Sequence, residues 1–400
     1  MAGSRSDGGR VSKSPDGRWR RLGGFAAVLG LALGLGGAGA AANKPLRLPA
    51  PAGKPIELVA ALPGVLLNGV AVSPTGRIFI SVPRWQDVPT PGVIELLPGG
   101  SHRPFPGNDW NAWRTGQPAE NAFVSVHSIS ADQDGNLWVV DEGPPFHGRP
   151  STTAAQDPYA GVLPKIVQID IASGKVVQTY PIDREAAPPG SNFGHVRIDG
   201  RFLYVSEPGI GSVIVIDRRT KAIHRRLAGV KAAKADPTVM PSFAGVPIAP
   251  AGEAPQIHLD HMEIDAKGEK LFFMSLFGPT LYSIKIADLT NWSLSDQDLE
   301  KRISVEGPVP AATGLRKDAK GDLYICSITD FAIMRRTPNG SWEIVARDPR
   351  IYIPNNPSFG PDGSLYFPVS RPPGIPDIGV DGPPAVYRVK LDPGESSRAR

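Results

Sequence analysis

The feature that most constrains this chain is a phrase that occurs six times: a turn containing glycine, then an apolar run that carries an aromatic residue. The copies are SPTGRIFISV (73–82), DQDGNLWVVD (132–141), RIDGRFLYVS (197–206), DAKGEKLFFMS (265–275), DAKGDLYICS (318–327) and GPDGSLYFPVS (360–370). Strands and tight turns that recur every ~40–70 residues are typical of a β-propeller, in which each repeat forms one blade. The sequence therefore predicts an all-β fold, a six-bladed β-propeller with four-stranded blades.

The segments around each phrase complete the predicted blade. One strand pattern precedes the phrase and two follow it, and the 45 glycines and 43 prolines of the chain suit many turns between short strands. The last strand pattern is AVYRVKL (385–391), and we expect IELVAAL (56–62) to close the ring against it.

The N-terminal part of the chain is predicted to lie outside the propeller. Three arginines within residues 18–21 precede an apolar stretch at 22–35, and small residues follow up to Ala42. This order is typical of a secretory signal peptide, and a retained membrane anchor is the alternative. We expect a secreted or periplasmic protein with this division: signal peptide 1–42, Pro-rich linker 43–55, propeller 56–392 and disordered tail 393–400.

Charge and cysteine content narrow the class of partner. The segment 1–42 carries six basic and two acidic residues, and its net charge of +4 equals that of the whole chain, so the remainder is neutral. A neutral body does not favour nucleic acid or anionic membranes. We expect a small-molecule ligand or substrate, no nucleic acid, no stable membrane insertion after cleavage, and a monomer. The single cysteine, Cys326, excludes an intramolecular disulfide and is expected to be buried.

The predicted long connections all fall on one face of the propeller. They are residues 99–123, 143–163 and 228–257, and they share that face with the start of every innermost strand. Long loops on a rigid scaffold commonly carry binding function. We therefore expect a site where the central channel opens on this face.

Aligning the six repeats places mainly polar residues at the start of the innermost strands. The entering residues are Asn68, His127, Gly194, Asp260, Thr313 and Asn355, and the next are Gly69, Ser128, His195, His261, Gly314 and Asn356. The ring either binds water in a channel that apolar groups do not fill, or forms a small-molecule or ion site.

The residue types in this ring suggest chemistry. Asn and Asp oxygens suit Ca²⁺, whereas imidazoles suit a transition metal if the histidines converge. The candidate ligands of one divalent cation are Asp260, Asn68, His127 and Asn355. The candidate catalytic residues are Asp260 with His195 and His261, because a buried imidazole can carry a proton.

Three further side chains are predicted to reach the same face. Glu142 and Glu207 end the second strands of their blades, where carboxylates either do acid–base work or cap loops. Trp85 lies in a segment that crosses the face and could wall a pocket for an aromatic or sugar-like ligand. The ligand-binding candidates are Asn68, His127, Thr313, Asn355, Asn356, Glu142, Glu207 and Trp85.

Several of these phrases together resemble the Yellow / major royal jelly protein family over residues 58–391. They are ISVPRW (80–85), DQDGNLWVVDEG (132–143), HVRIDG with YVSEPGIGSVIVID (195–217) and YIPNNPSFGPDGSLYFPVS (352–370). The resemblance implies a secreted six-bladed propeller related to calcium-dependent lactonases of the senescence-marker-protein / gluconolactonase type. It also implies tautomerisation of pigment precursors, or binding of small amines and sterols.

The lactonase metal site uses a Glu, two Asn and an Asp at the starts of the innermost strands. Asp260 matches the Asp, whereas the other three positions hold Asn68, His127 and Gly194. The expected function is a metal-assisted lactone hydrolase or a Yellow-type isomerase. A non-catalytic binder of small amines or aromatics, and a protein-interaction propeller, remain the alternatives.

Overall fold

The structure of the protein is a computed structural model. It describes residues 48–85, 90–107, 109–144, 159, 161–243, 246–247, 256–318, 320–371 and 380–392. The expected signal peptide, the first residues of the expected linker and the expected tail lie outside these ranges.

Six antiparallel sheets of four strands each form the predicted propeller within these ranges. From the inside outward, blade 1 contains Gly69–Val72, Ile78–Ser81, Val93–Leu96 and His102–Pro104. Blade 2 contains Val126–Ala131, Asn136–Asp141, Lys165–Asp170 and Val176–Pro181. Blade 3 contains Val196–Asp199, Phe202–Glu207, Ser212–Asp217 and Ile223–Arg226. Blade 4 contains Leu259–Ile264, Lys270–Ser275, Thr280–Lys285 and Ser304–Pro308. Blade 5 contains Ala312–Lys317, Leu323–Ser327, Ala332–Arg336 and Trp342–Arg347. Blade 6 contains Ser358–Phe359, Ser364–Val369, Ala385–Lys390 and Ile56–Ala61.

The ring closes as the sequence predicts. Strand Ile56–Ala61 pairs antiparallel with Ala385–Lys390, so the first and last parts of the propeller share blade 6. Part of the expected linker is also structured, because Ala52–Gly53 adds a short fifth strand to the outside of blade 5. Gly53 is required there: its φ is 74°, and a Cβ atom would lie 2.5 Å from the carbonyl oxygen of Val345.

Apolar side chains pack between adjacent blades. Trp138 of blade 2 is fully buried with Tyr180 and with Phe193, which precedes blade 3, and its indole nitrogen donates to Asp132 Oδ2 at 2.7 Å. Cys326 is fully buried in blade 5, as expected. The core therefore lies between the sheets.

The other elements are short. They are the 3₁₀ turns Asp109–Asn111 and Lys231–Ala233, the α-helices Ile286–Leu289 and Asp296–Glu300, and the hairpin Ser242–Phe243 with Val246–Pro247. In the described part of the chain no helix has both the length and the apolar character needed to cross a bilayer.

The first strands of neighbouring blades contact one another and so surround the central axis. Their starts lie on the face where the strands flanking the predicted connections 143–163 and 228–257 end or begin, and much of both connections lies outside the described residues. The connection predicted at 99–123 is shorter, because His102–Pro104 forms the outer strand of blade 1. Trp110 and Trp113 in that connection are buried rather than lining an open surface.

Candidate small-molecule site at the mouth of the channel

Three histidines and one aspartate converge where the first strands of blades 2, 3 and 4 begin. One donor atom from each of His127, His195 and Asp260 lies within 4.8 Å of the other two. His195 Nε2 is 3.8 Å from Asp260 Oδ1, and His261 Nε2 is 3.5 Å from Asp260 Oδ2. We call these four residues the mouth cluster, and its existence agrees with the predicted convergence of the histidines.

The mouth cluster is buried, yet several of its polar atoms lack partners. His195 and His261 are each 1% exposed and Asp260 is 6% exposed. Both ring nitrogens of His195, Nε2 of His261 and Oδ1 of Asp260 have no hydrogen-bond partner among the described residues. A buried unpaired polar atom costs about 1–3 kcal/mol, so a group of four indicates a site that a ligand, ion or water completes.

Burial sets the protonation of two of these imidazoles. It lowers the pKa of His195 well below its usual range, and the positive charge of Arg197 acts in the same direction. Burial also lowers the pKa of His261, although the charge of Asp260 opposes it. Both imidazoles are therefore neutral near pH 7 and are able to accept a proton or a cation.

His127 has a different environment because Glu142 lies beside it. Glu142 Oε2 is 3.4 Å from His127 Nδ1. Burial alone would lower the pKa of His127, but the hydrogen bond and charge of Glu142 outweigh it and raise that pKa. Burial would raise the pKa of the Glu142 carboxyl, and the contact with His127 lowers it instead. The contact with Glu142 fixes the orientation of the His127 ring.

Glu142 is itself held by three donors. It accepts hydrogen bonds from Ser125 Oγ at 2.7 Å, Asn192 Nδ2 at 2.8 Å and Trp85 Nε1 at 3.2 Å. Sequence reasoning identified Glu142 and Trp85 but missed Ser125 and Asn192. These two lie in segments before a first strand, and only the closeness of blades 2 and 3 gives them a common partner.

The two asparagines predicted as metal ligands bind each other. Asn355 Nδ2 donates to Asn68 Oδ1 at 2.7 Å, and Asn68 Nδ2 donates to the carbonyl of His127 at 2.7 Å. The Asn68 amide is thus already used to hold the backbone at His127. Trp85, His127 and Asn355 are partly exposed among the described residues.

Other predicted residues support the ring or lie apart from it. The Thr313 hydroxyl donates to the carbonyl of Pro354, and Asn356 Nδ2 donates to the carbonyl of Ile129 at 3.3 Å. Gly194 lets Asp260 approach, because a Cβ atom on it would lie 2.5 Å from Asp260 Oδ1.

Glu207 is not brought into the mouth cluster. Its carboxylate accepts from Arg225 at 2.6 Å, from Ser212 Oγ at 3.2 Å and from the backbone N–H groups of Asn192 and Ile210. Burial raises the pKa of Glu207 despite these partners. The Glu207 carboxylate therefore caps a turn and links the strands of blade 3 through its hydrogen bonds.

A buried ion-pair network lies further along the same channel. Arg197 donates to Glu263 Oε2 at 2.9 Å, and Arg316 approaches the same oxygen at 3.3 Å. Arg197 also donates to the carbonyl of Leu315, and Arg316 to that of Pro357, so the network links blades 3 to 6. It occupies the channel beyond the mouth cluster.

Comparisons with known proteins agree with the resemblance found in the sequence. The sequence model of the family described as major royal jelly protein matches residues 124–353, more than half of the chain. Protein yellow of Drosophila subobscura is 29% identical over 128 residues, which cover 31% of this chain and 21% of that protein. Protein yellow of Drosophila melanogaster is 27% identical over 128 residues, covering 31% and 22%. The match thus spans about a fifth of the length of these curated relatives.

Solved propellers share the fold. A luciferin-regenerating enzyme is 12% identical with a TM-score of 0.52, covering 87% of this chain and 98% of that one. Regucalcin, a calcium-binding protein from Agrobacterium tumefaciens strain C58, is 13% identical with a TM-score of 0.51, covering 87% and 97%. At these identities the likeness concerns the fold alone. The family match and the sequence relatives establish that this chain belongs to the Yellow / major royal jelly protein family.

Proposed function

We propose that this protein is an exported enzyme that acts on a small polar ring compound at the channel mouth, by lactone hydrolysis or by tautomerisation. One observation carries the proposal: a buried group of titratable side chains with unpaired atoms lies where the first strands of blades 2, 3 and 4 begin. Polar groups that serve only the fold are normally paired, whereas unpaired ones cluster at functional sites.

Both reactions need a group that accepts a proton and a surface that orients the ring. His195 and His261 are neutral imidazoles and are the proposed proton carriers. Asp260 lies between them, with its carboxylate oxygens 3.8 Å from His195 Nε2 and 3.5 Å from His261 Nε2. The partly exposed side chains of Trp85 and Asn355 are proposed to contact the substrate.

Calcium, which the lactonase resemblance implies and which regucalcin binds by its name, does not fit these residues. Calcium takes six to eight oxygen ligands. Asp260 offers carboxylate oxygens, but Asn68 Oδ1 already accepts from Asn355, and His127 and Gly194 occupy the other two positions. We therefore derive no step of the reaction through calcium.

Trp85 favours a second candidate, a binding protein for small aromatic or amine ligands. Its ring packs edge-on to His127 at 5.8 Å between centroids, and its indole N–H is fixed by Glu142. A partly exposed, immobilised indole offers a face on which an aromatic ring or a cation can stack.

The test uses purified protein with a panel of lactones and dopachrome-like substrates. We expect turnover, and His261→Gln or Asp260→Asn should lower kcat/KM by about 100-fold or more, as for loss of a general base. The matched control is His224→Gln, since His224 stacks on Trp292 away from the site. Full activity in both site variants would overturn the proposal. Stoichiometric binding of an amine without turnover would support the second candidate. Absence of both turnover and binding would point to a protein-interaction propeller.

Export and oligomeric state are tested separately. N-terminal sequencing of the exported protein should show that cleavage has removed residues 1–42. Light scattering should give the mass of a monomer. A full-length chain in the membrane fraction would contradict the proposed export.

A further inference from the structure

We infer that His127, His195 and Asp260 bind one divalent transition-metal ion, and that Glu142 is the outer carboxylate that orients His127 toward it. The inference deepens the proposed function and rests on it for the use of the ion. Its support comes from the donor atoms, their burial and the second layer of contacts around them.

The spacing of the donor atoms is close to that of a metal site. Ligand atoms about 2.0–2.2 Å from one ion lie roughly 3–3.5 Å from each other. His195 Nε2 and Asp260 Oδ1 are 3.8 Å apart, and all three candidate donors fall within 4.8 Å.

The unpaired atoms are the ones a metal would use. His195 Nε2 and Asp260 Oδ1 are buried, lack hydrogen-bond partners among the described residues, and face each other. Gly194 gives Asp260 Oδ1 its place, since any larger residue would put a Cβ atom 2.5 Å away. The fold therefore keeps a carboxylate oxygen beside an imidazole nitrogen without using either one for its own structure.

Contacts around the three donors match the second layer of a metal site. A ligating histidine usually gives its other ring nitrogen to a carboxylate, which fixes the ring and its tautomer. Glu142 occupies Nδ1 of His127 and is held in turn by Ser125, Asn192 and Trp85. Such support is more than an isolated surface histidine receives.

The donor types select the metal. Two imidazoles and one carboxylate suit Zn²⁺, Fe²⁺ or Co²⁺, and the same set with open positions is the facial triad of non-haem iron sites. A hard cation such as Ca²⁺ finds only one oxygen residue here. Because His195 would then ligate the metal, His261 is the imidazole of the mouth cluster that remains for the proposed reaction.

The experiment is a titration of the metal-free full chain with Co²⁺, followed by calorimetry and by visible ligand-field absorption. We expect one ion per chain, unaffected by excess Ca²⁺. Asp260→Asn and His195→Gln should each weaken binding by more than about 100-fold, and Glu142→Gln by about 10- to 100-fold. His224→Gln, a histidine outside the site, should bind Co²⁺ as the unmodified protein does.

Circular dichroism and thermal melts of each variant separate loss of the site from loss of the fold. Unchanged Co²⁺ affinity in folded Asp260→Asn, displacement of Co²⁺ by Ca²⁺, or no binding at all would overturn the inference. The proposed function fails separately: a protein that binds Co²⁺ as expected but turns over no lactone or dopachrome-like compound keeps the metal site and loses the reaction.

Discussion

Replacing Glu263 by Gln should destabilise the propeller strongly, because this carboxylate is the shared anion of two buried arginines. Glu263 lies 2.9 Å from Arg197 and 3.3 Å from Arg316, and the three side chains are only 6–11% exposed. Burial and the charge of Arg316 already lower the pKa of Arg197 to about 10, although Glu263 opposes them. Without the carboxylate, two cations would face each other in the channel.

The expected loss follows from that burial. Removing one partner of a buried ion pair typically costs about 3–5 kcal/mol of unfolding free energy, because the remaining charge stays desolvated. Urea denaturation followed by fluorescence gives this value if the slope of the transition is unchanged. The control is Glu343→Gln, since Glu343 pairs with Arg335 but is 51% exposed, and should lose about 1 kcal/mol or less. Equal losses for both variants, or less than about 1 kcal/mol for Glu263→Gln, would refute the reasoning.

Three other substitutions or modifications test separate parts of the structure. Cys326 is fully buried, and burial raises the pKa of its thiol. A disulfide reagent should therefore react with it at least about 100-fold more slowly in the native protein than in urea. Equal rates would contradict its burial. Ser295→Ala removes the capping box with Asp298 at helix Asp296–Glu300. It should lower the free energy of unfolding by about 0.5–2 kcal/mol in the same urea assay. An unchanged free energy of unfolding would show that the cap is dispensable. Gly194→Ala should displace Asp260 and lower turnover about 10-fold or more, and it should also cost about 1–3 kcal/mol of stability because its Cβ would lie 2.5 Å from Asp260 Oδ1 and 2.7 Å from Ser206 Oγ. Unchanged kinetics would show that the close approach is not needed.

The fold was predictable because its signal is repeated. Each copy of the phrase joins a glycine turn to a strand, and six copies fix the number of blades independently of any single one. The closing strand Ile56–Ala61 was also predictable, since the last repeat lacks a fourth strand of its own. The short strand Ala52–Gly53 was not, because two residues carry no periodicity and their pairing depends on blade 5 being in place.

The candidate site was only partly predictable. Aligning the turns brought His127, His195 and Asp260 to one place, because equivalent positions in the repeats occupy equivalent places in neighbouring blades. The bond between Asn68 and Asn355 was missed, since an amide that looks like a ligand in sequence can equally bind its neighbour.

The channel arginines were missed for a related reason. A charged residue in a strand is ordinarily read as exposed, and only the closure of the ring shows that Arg197 and Arg316 face a common anion. Pairing across blades that are distant in the chain leaves no local pattern in the sequence.

We propose that the mouth cluster binds a metal ion and does not merely fill the channel. The most direct measurement is a crystal structure of the protein grown with Co²⁺, with diffraction data collected on both sides of the cobalt absorption edge. The account predicts one anomalous peak among His127, His195 and Asp260, about 2 Å from each donor atom. A map with no peak there, and with ordered water pairing every polar atom of the cluster, would contradict it.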